Sequence, residues 1–189
     1  MKEITCNVKG LIIGGHNPIV VQSMCNTDTN DIKQSIQQCI DLHNAGSQLI
    51  RLTTQGLREV ESLRKIKEGL IQQGIHTPLV ADVHFNSDVA LAVAAGVADK
   101  VRINPGNFSK DHNIAMSKFK ELIEICRQYG TALRIGLNHG SLGERITNLY
   151  GDTPNGMCQA VMEWLKICVE QEFHNVVISL KASNTKVMI

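Results

Sequence analysis

Apolar and polar positions alternate along this chain with two different periods. Six short runs change sign at every residue or nearly so: Ile19 to Met24, Gln48 to Thr53, Pro78 to His84, Val101 to Asn104, Ala132 to Leu137 and Val176 to Lys181. Period two with β-branched residues predicts strands. Between them the apolar residues recur every three or four positions, which predicts helices. Ile32, Ile36, Cys39, Ile40 and His43 form one such stripe over about Asp31 to Asn44, and Leu63, Ile66 and Leu70 form another over about Leu57 to Gln73. A short helix is predicted from about Ser87 to Ala95, started by Asn86 or Ser87. Phe119, Leu122, Ile123 and Cys126 mark a helix over about Ile114 to Tyr129, and Met157, Val161, Trp164, Leu165 and Cys168 one over about Asn155 to Gln171. Thr153-Pro154 caps and starts the last of these. Ahead of the first strand, Val8, Leu11, Ile12 and Ile13 suggest a short hairpin bounded by a Gly14-Gly15 turn. Asn138 to Leu142 reads as a turn.

Strand and helix therefore alternate throughout, the pattern of parallel strands joined by helical crossovers. No Gly-x-Gly-x-x-Gly follows the first strand and no P-loop is present, which argues against a nucleotide-binding doubly wound sheet. The expected fold is an α/β (β/α)8 TIM barrel of which about six βα units are present. Two units are missing at the C-terminal end, so the chain reads as a C-terminally truncated fragment of a longer protein. Its first and sixth strands would be open edges.

Composition narrows this only a little. The net charge of +1 offers no general basic field, so neither a nucleic-acid partner nor a membrane surface is expected, and any cationic site must be local. The six cysteines never form C-x-x-C, so no metal site is read from their spacing, and reduced thiols in a cytoplasmic protein are expected. The N-terminus lacks the apolar core of a signal peptide. The most apolar run, Val89 to Ala98, has about half the length a membrane span needs.

The candidate chemistry lies on the polar face of the strands. Side chains two apart on a strand share a face. That rule groups Arg51 with Thr53, Asp82 with His84, Arg102 with Asn104, Arg134 with Gly136 and Asn138, and Ser179 with Lys181. The intervening Ile, Leu and Val residues face the helices. Each polar residue lies near the C-terminal end of its strand, where the active sites of such barrels sit. Three arginines and a lysine would then meet one carboxylate, Asp82, in one cavity. Buried cations need partners, and a ligand carrying several negative charges supplies them most simply. Arginine forks suit phosphate oxygens, and the charge count suits a diphosphate better than a monophosphate. Asp82 and His84 could act as an acid–base pair or hold substrate hydroxyls. The histidines other than His84 show no ligand spacing.

These strand ends resemble one known family. The matching stretches are Val21 to Thr29 (VQSMCNTDT), Ile50 to Thr53 (IRLT), Leu79 to Phe85 (LVADVHF), Val101 to Asn107 (VRINPGN), Leu133 to Leu142 (LRIGLNHGSL) and Ile178 to Ser183 (ISLKAS). In this order they are similar to the 4-hydroxy-3-methylbut-2-enyl diphosphate synthases of the non-mevalonate isoprenoid pathway, in their long, three-domain form. The resemblance implies a TIM barrel that binds 2-C-methyl-D-erythritol 2,4-cyclodiphosphate and an oxidoreductase reaction that opens its ring. It implies a [4Fe–4S] cluster on a separate C-terminal domain whose ligands are not in this chain, and flavodoxin or ferredoxin as electron donor. By motif match it implies that Arg51, Arg102, Arg134 and Lys181 hold the diphosphate, with Asp82, His84 and Asn138 near the carbon skeleton. Asn104 and Ser179 join the substrate-binding set. Cys25 and His139 depart from the commoner Thr and Ala of the family and agree with its longer branch. The fragment alone is expected to be inactive.

Other readings of the same residues stay open. Lys181 at the end of the sixth strand is placed as the amine of a Schiff-base aldolase would be. A dihydropteroate-synthase-like barrel would also bind a diphosphate ester, and a non-catalytic module for phosphate ligands is a third reading.

Overall fold

The computed structural model describes residues 4–188. A two-stranded antiparallel ribbon comes first, β1 (Cys6–Val8) and β2 (Leu11–Ile13). Six parallel strands follow: β3 (Gln22–Met24), β4 (Leu49–Thr53), β5 (Leu79–Asp82), β6 (Lys100–Ile103), β7 (Ala132–Asn138) and β8 (Val176–Lys181). They pair strictly in chain order, β3-β4-β5-β6-β7-β8, so β3 and β8 are the two edges. The crossovers are α1 (Ile32–Asn44), α2 (Leu57–Gln72), α3 (Ser87–Ala94), α4 (His112–Tyr129), α5 (Glu144–Tyr150) and α6 (Pro154–Glu170), with a short α7 (Thr185–Met188) after β8. The six βα units of the expected barrel are thus present as a parallel sheet with helices between its strands.

Strand parity divides the core in two. Ile50, Leu52, Ala81, Val101, Ile103, Leu133 and Ile135 face the helices and are buried in the larger cluster. Phe108, Phe119 and Trp164 complete it, with Trp164 centred 5.2 Å from Phe108 and 4.4 Å from Phe119. The opposite face holds a smaller apolar floor of Leu49, Val80 and Ala132, closed from below by Cys6 and Val8 of the ribbon. A reciprocal pair of hydrogen bonds fixes that plug: Asn7 N–H donates to Asn175 Oδ1 at 2.7 Å, and Asn175 Nδ2 donates to Asn7 O at 2.9 Å. The apolar floor leaves only the upper half of that face for polar groups.

Helix starts follow the expected chemistry. Asp31, Asn86, Asp111 and Thr153 each cap a helix by accepting a backbone N–H. Three local expectations differ from the structure. The ribbon turns at Lys9-Gly10, both at positive φ (51° and 90°), and not at Gly14-Gly15. This is the two-residue turn that matches strand twist, and Asn7 Oδ1 supports it by accepting from Gly10 N–H. The first strand is shorter than the sequence pattern suggests, Gln22–Met24. An additional helix, α5, fills the connection after β7; it starts at Gly143 with no side-chain cap, which removes the usual sequence signal.

The loops after β6 and β7 lock onto each other. A Cβ on Gly106 would lie 2.0 Å from the Ser141 carbonyl oxygen and 2.9 Å from Gly143 N, both backbone atoms. Gly106→Ala is expected to lower stability by about 1–3 kcal/mol, the cost of forcing extra volume into a packed site. Denaturant titration followed by fluorescence of Trp164, the sole tryptophan, measures it. No loss of stability would show that the loops part freely.

Candidate functional site

The strand register brings the predicted polar groups level with one another. Asp82 pairs with Arg102, Arg102 with Arg134, and Asn138 with Lys181. Arg51, Asp82, His84, Arg102, Arg134, Asn138, Ser179 and Lys181 line one cavity of about 90 Å³ at the C-terminal ends of the strands. Every residue named from the sequence except Asn104 borders it.

Asp82 is the hub. Its side chain is 3% exposed, and its two oxygens take separate arginines: Oδ1 lies 3.2 Å from Arg102 Nη1 and Oδ2 lies 3.5 Å from Arg51 Nε. Arg102 also donates through Nη2 to the Gly136 carbonyl at 3.1 Å. Gly136 has no side chain there for a reason: a Cβ would come within 2.8 Å of Arg102 Nε. His84 Nε2 stands 3.9 Å from Asp82 Oδ2, beyond hydrogen-bond range. Burial holds the His84 pKa below the usual histidine range, and Arg102 and Arg51 add to this against the pull of Asp82. The neutral imidazole can accept or donate a hydrogen bond at the mouth.

Among the described residues Arg134 pairs with no carboxylate, and its one hydrogen bond there is from Nε to Ser179 Oγ at 3.0 Å. Desolvation depresses its pKa, and Arg51 and Arg102 depress it further, which is the signature of a cation held among cations. Lys181 is more exposed, and its pKa is lowered by desolvation and then by Arg134, Arg51 and Arg102. With one carboxylate against four cations, the cavity carries an excess of three positive charges when all are ionised. Such a site is built for an anion, because an uncompensated cation in a partly dry pocket is costly without one.

Asn104 lies elsewhere. β6 ends at Ile103, and Asn104 turns into the loop, where its Oδ1 accepts from Gly106 N–H and its Nδ2 donates to Ser141 Oγ, each at 3.1 Å. Ser141 Oγ in turn donates to the Asn138 carbonyl at 2.9 Å. Asn104 therefore steadies the backbone of a cavity residue from behind. Strand parity placed it with Arg102 because the sequence does not mark the residue at which the strand stops.

Two contributors escaped the sequence pattern. Met24 Sδ receives Arg51 Nε and Nη2 at 3.1 and 2.9 Å, so the thioether helps hold that guanidinium. Lys100 belongs to β6 and points to the cavity side one step below Arg102; a strand read as starting at Val101 leaves it out. A larger cavity, about 700 Å³, lies outside this site, between the loops after β6 and β7 and helix α6. Arg145 and Glu163 pair with each other within its lining, which has no excess of cations like that of the smaller one. Among the described residues no three His, Cys, Asp or Glu side chains gather as a metal-binding group. Likewise, no described helix is long and apolar enough to cross a membrane.

Comparison with known proteins agrees with this architecture. The GcpE TIM-barrel domain family matches residues 3–189. The chain is 48% identical over 97% of its length to a 4-hydroxy-3-methylbut-2-en-1-yl diphosphate synthase (flavodoxin) of Phocaeicola vulgatus, and 48% identical over 97% of its length to that of Bacteroides thetaiotaomicron. It is 41% identical over its whole length to that of Chlamydia trachomatis. It spans 32% of each of the first two relatives and 34% of the third, about a third of their length. A truncated 3-deoxy-D-arabino-heptulosonate 7-phosphate synthase from Thermotoga maritima shares the fold at 9% identity, with a TM-score of 0.60 over 94% of this chain and 56% of that one. On the family match and the identity over nearly its whole length, the chain belongs to the GcpE TIM-barrel domain family, the barrel part of the 4-hydroxy-3-methylbut-2-enyl diphosphate synthases.

Proposed function

We propose that this chain is the substrate-binding barrel portion of a longer cytoplasmic enzyme that reductively opens 2-C-methyl-D-erythritol 2,4-cyclodiphosphate to 4-hydroxy-3-methylbut-2-enyl diphosphate in isoprenoid biosynthesis. The observation that carries the reading is the unbalanced cavity: Arg51, Arg102, Arg134 and Lys181 around a single carboxylate. In this reading the four cations hold the two phosphates. A volume of about 90 Å³ suits phosphate oxygens and not a whole sugar diphosphate, so the carbon skeleton lies toward the mouth, beside His84 and Asn138. Asp82 keeps Arg102 and Arg51 aimed, and Ser179 orients Arg134.

The overall reaction consumes two electrons and releases a hydroxyl as water. Relatives of this chain are named as flavodoxin-dependent, and flavodoxin is the electron donor we assign to the longer enzyme. The described residues gather no ligand set for the [4Fe–4S] cluster that the family implies. In this reading the chain binds, orients and desolvates the diphosphate.

Equilibrium binding compares the cyclic diphosphate with uncharged 2-C-methylerythritol. The expected result is saturable binding of the diphosphate alone, weakened by added salt as screened charges require. Equal binding of the neutral polyol would overturn the assignment. In the longer enzyme, Lys181→Ala is expected to depress turnover with reduced flavodoxin; unchanged turnover would remove Lys181 from the site.

A further inference from the structure

Lys100 is a buried cation that the diphosphate reading does not use. It is 2% exposed and lies beneath the cavity described above. Its ammonium reaches across the barrel floor to a neutral acceptor, Gln22 Oε1, at 3.1 Å. No other hydrogen bond and no ion pair is made by that ammonium among the described residues. An ammonium carries three donors, and one buried among apolar groups normally has a carboxylate. The carboxylate of the cavity above, Asp82, already spends both oxygens on Arg102 and Arg51.

The surroundings of Lys100 are defined on every side. The ribbon below presents the Cys6 thiol. β3 presents Gln22. β4 presents Leu49 with Arg51 above it, and β5 presents Val80 with Asp82 above it. β7 presents Ala132 with Arg134 above it, and β8 presents Val177. The neighbouring charges are therefore mostly positive, and the cationic cavity, where an anion would sit, lies one step above. An opening of about 420 Å³ between the edge strands is bordered by Lys100, Arg134 and Gln22. It gives a proton a route to solvent.

We propose that Lys100 is a proton-linked cation under the anion site, neutral or charged in the empty barrel according to pH, and protonated whenever a diphosphate fills the cavity. The inference rests on the diphosphate reading and deepens it. The step is a simple protonation: the amine takes one proton from solvent, no bond to the ligand forms, and the added charge stabilises the dianion from below. Geometry supplies the reason, and the electrostatics agree. Burial first, then Arg134, bring the Lys100 pKa down from 10.5 to about 8; Cys6 opposes this, and Arg51 adds a smaller lowering. A bound diphosphate reverses the sign of the local field and returns it toward the ordinary value.

The direction of the pH effect follows. Between about pH 8 and the ordinary lysine range, the empty folded chain lacks a proton that both the liganded and the unfolded chains hold. Binding then takes up a proton, and affinity falls as pH rises, approaching tenfold per unit. Stability of the empty chain moves the other way and rises with pH through the same window, because the unfolded state binds more protons.

Isothermal titration of the cyclic diphosphate near pH 8, in two buffers of different ionisation enthalpy, reads the proton directly. Each phosphate of that ligand carries one strongly acidic group, so the ligand itself contributes no proton change. Wild type is expected to take up about half a proton per ligand near pH 8. Lys100→Met is expected to lose that uptake. Lys100→Arg is expected to keep a cation and lose the uptake, with affinity flat across the window. Binding with no buffer dependence in wild type would overturn the proposal, as would equal uptake in both variants, which would assign the proton to Lys181. Absence of any binding by wild type would overturn the diphosphate reading together with this one. A denaturation series on the empty chain separates those cases, since Lys100→Met should flatten the rise in stability above pH 8 whether or not ligand binds.

Discussion

Asp82→Ala is expected to destabilise the chain by about 3–5 kcal/mol, the range for removing one partner of a buried ion pair. The physical reason is geometric. Asp82 is nearly inaccessible and its two oxygens separate Arg102 from Arg51, at 3.2 and 3.5 Å. Removing it leaves two guanidinium groups facing each other, with Arg134 as a third, in a pocket only partly open to water. Arg102 would retain only its bond to the Gly136 carbonyl. Urea denaturation monitored by Trp164 measures the loss. Added pyrophosphate should restore part of it, because it replaces the missing negative charge. A loss below about 1 kcal/mol, the worth of an ordinary exposed pair, would mean that the arginines relax into solvent and that the cavity is not held together by this carboxylate.

The opposite sign is expected at Arg134. Arg134→Met removes a cation with no carboxylate partner among the described residues and a pKa depressed by burial and by its arginine neighbours. In the empty chain this substitution should leave stability unchanged or raise it, since apolar replacement of a poorly compensated charge is often neutral or favourable. Affinity for the cyclic diphosphate should fall by roughly 10- to 150-fold, which corresponds to the loss of about 1.5–3 kcal/mol for hydrogen bonds to a charged group. Calorimetry on wild type and variant reads both quantities. Equal affinity would place the phosphates away from β7. In the proposed reading Asp82 and Arg134 thus form a contrast: one side chain would hold the fold of the site, the other would be kept for the ligand at some cost to that fold.

Much of this was legible in the sequence because strand parity is a strict rule. Arg51, Asp82, Arg102, Arg134, Asn138, Ser179 and Lys181 share the face that period two assigns them, and the structure sets them around one cavity. The pattern was less informative wherever a strand ended. Asn104 has the parity of Arg102 but follows the last residue of β6, so its side chain serves the next turn. Lys100 has the same parity and begins that strand, yet a charged residue before an apolar run reads as loop. Its burial depends on the ribbon plug and on Gln22, contacts between residues 78 apart in the chain. The helix α5 was hidden because Gly143 gives it no capping side chain. The Lys9-Gly10 turn was hidden because lysine rarely adopts positive φ, and Asn7 compensates locally. For Lys100 a tertiary contact settles what the local pattern left undecided.

The same reasoning explains why the small cavity outweighs the large one. The groove of about 700 Å³ pairs Arg145 with Glu163 and gathers no surplus of cations. The cavity of about 90 Å³ holds four cations against one carboxylate. Unbalanced charge under partial burial, not volume, is the physical mark of a site that expects a ligand.

The central claim is that the cationic cavity is assembled in this chain and takes a diphosphate. A thermal melt followed by Trp164 fluorescence tests it most directly, with and without the cyclic diphosphate and at matched ionic strength. A ligand that binds only the folded state adds about 2.7 kcal/mol at a hundredfold excess over its dissociation constant. The account predicts a cooperative transition that moves upward with ligand concentration. A cooperative transition that stays fixed at every concentration would contradict it.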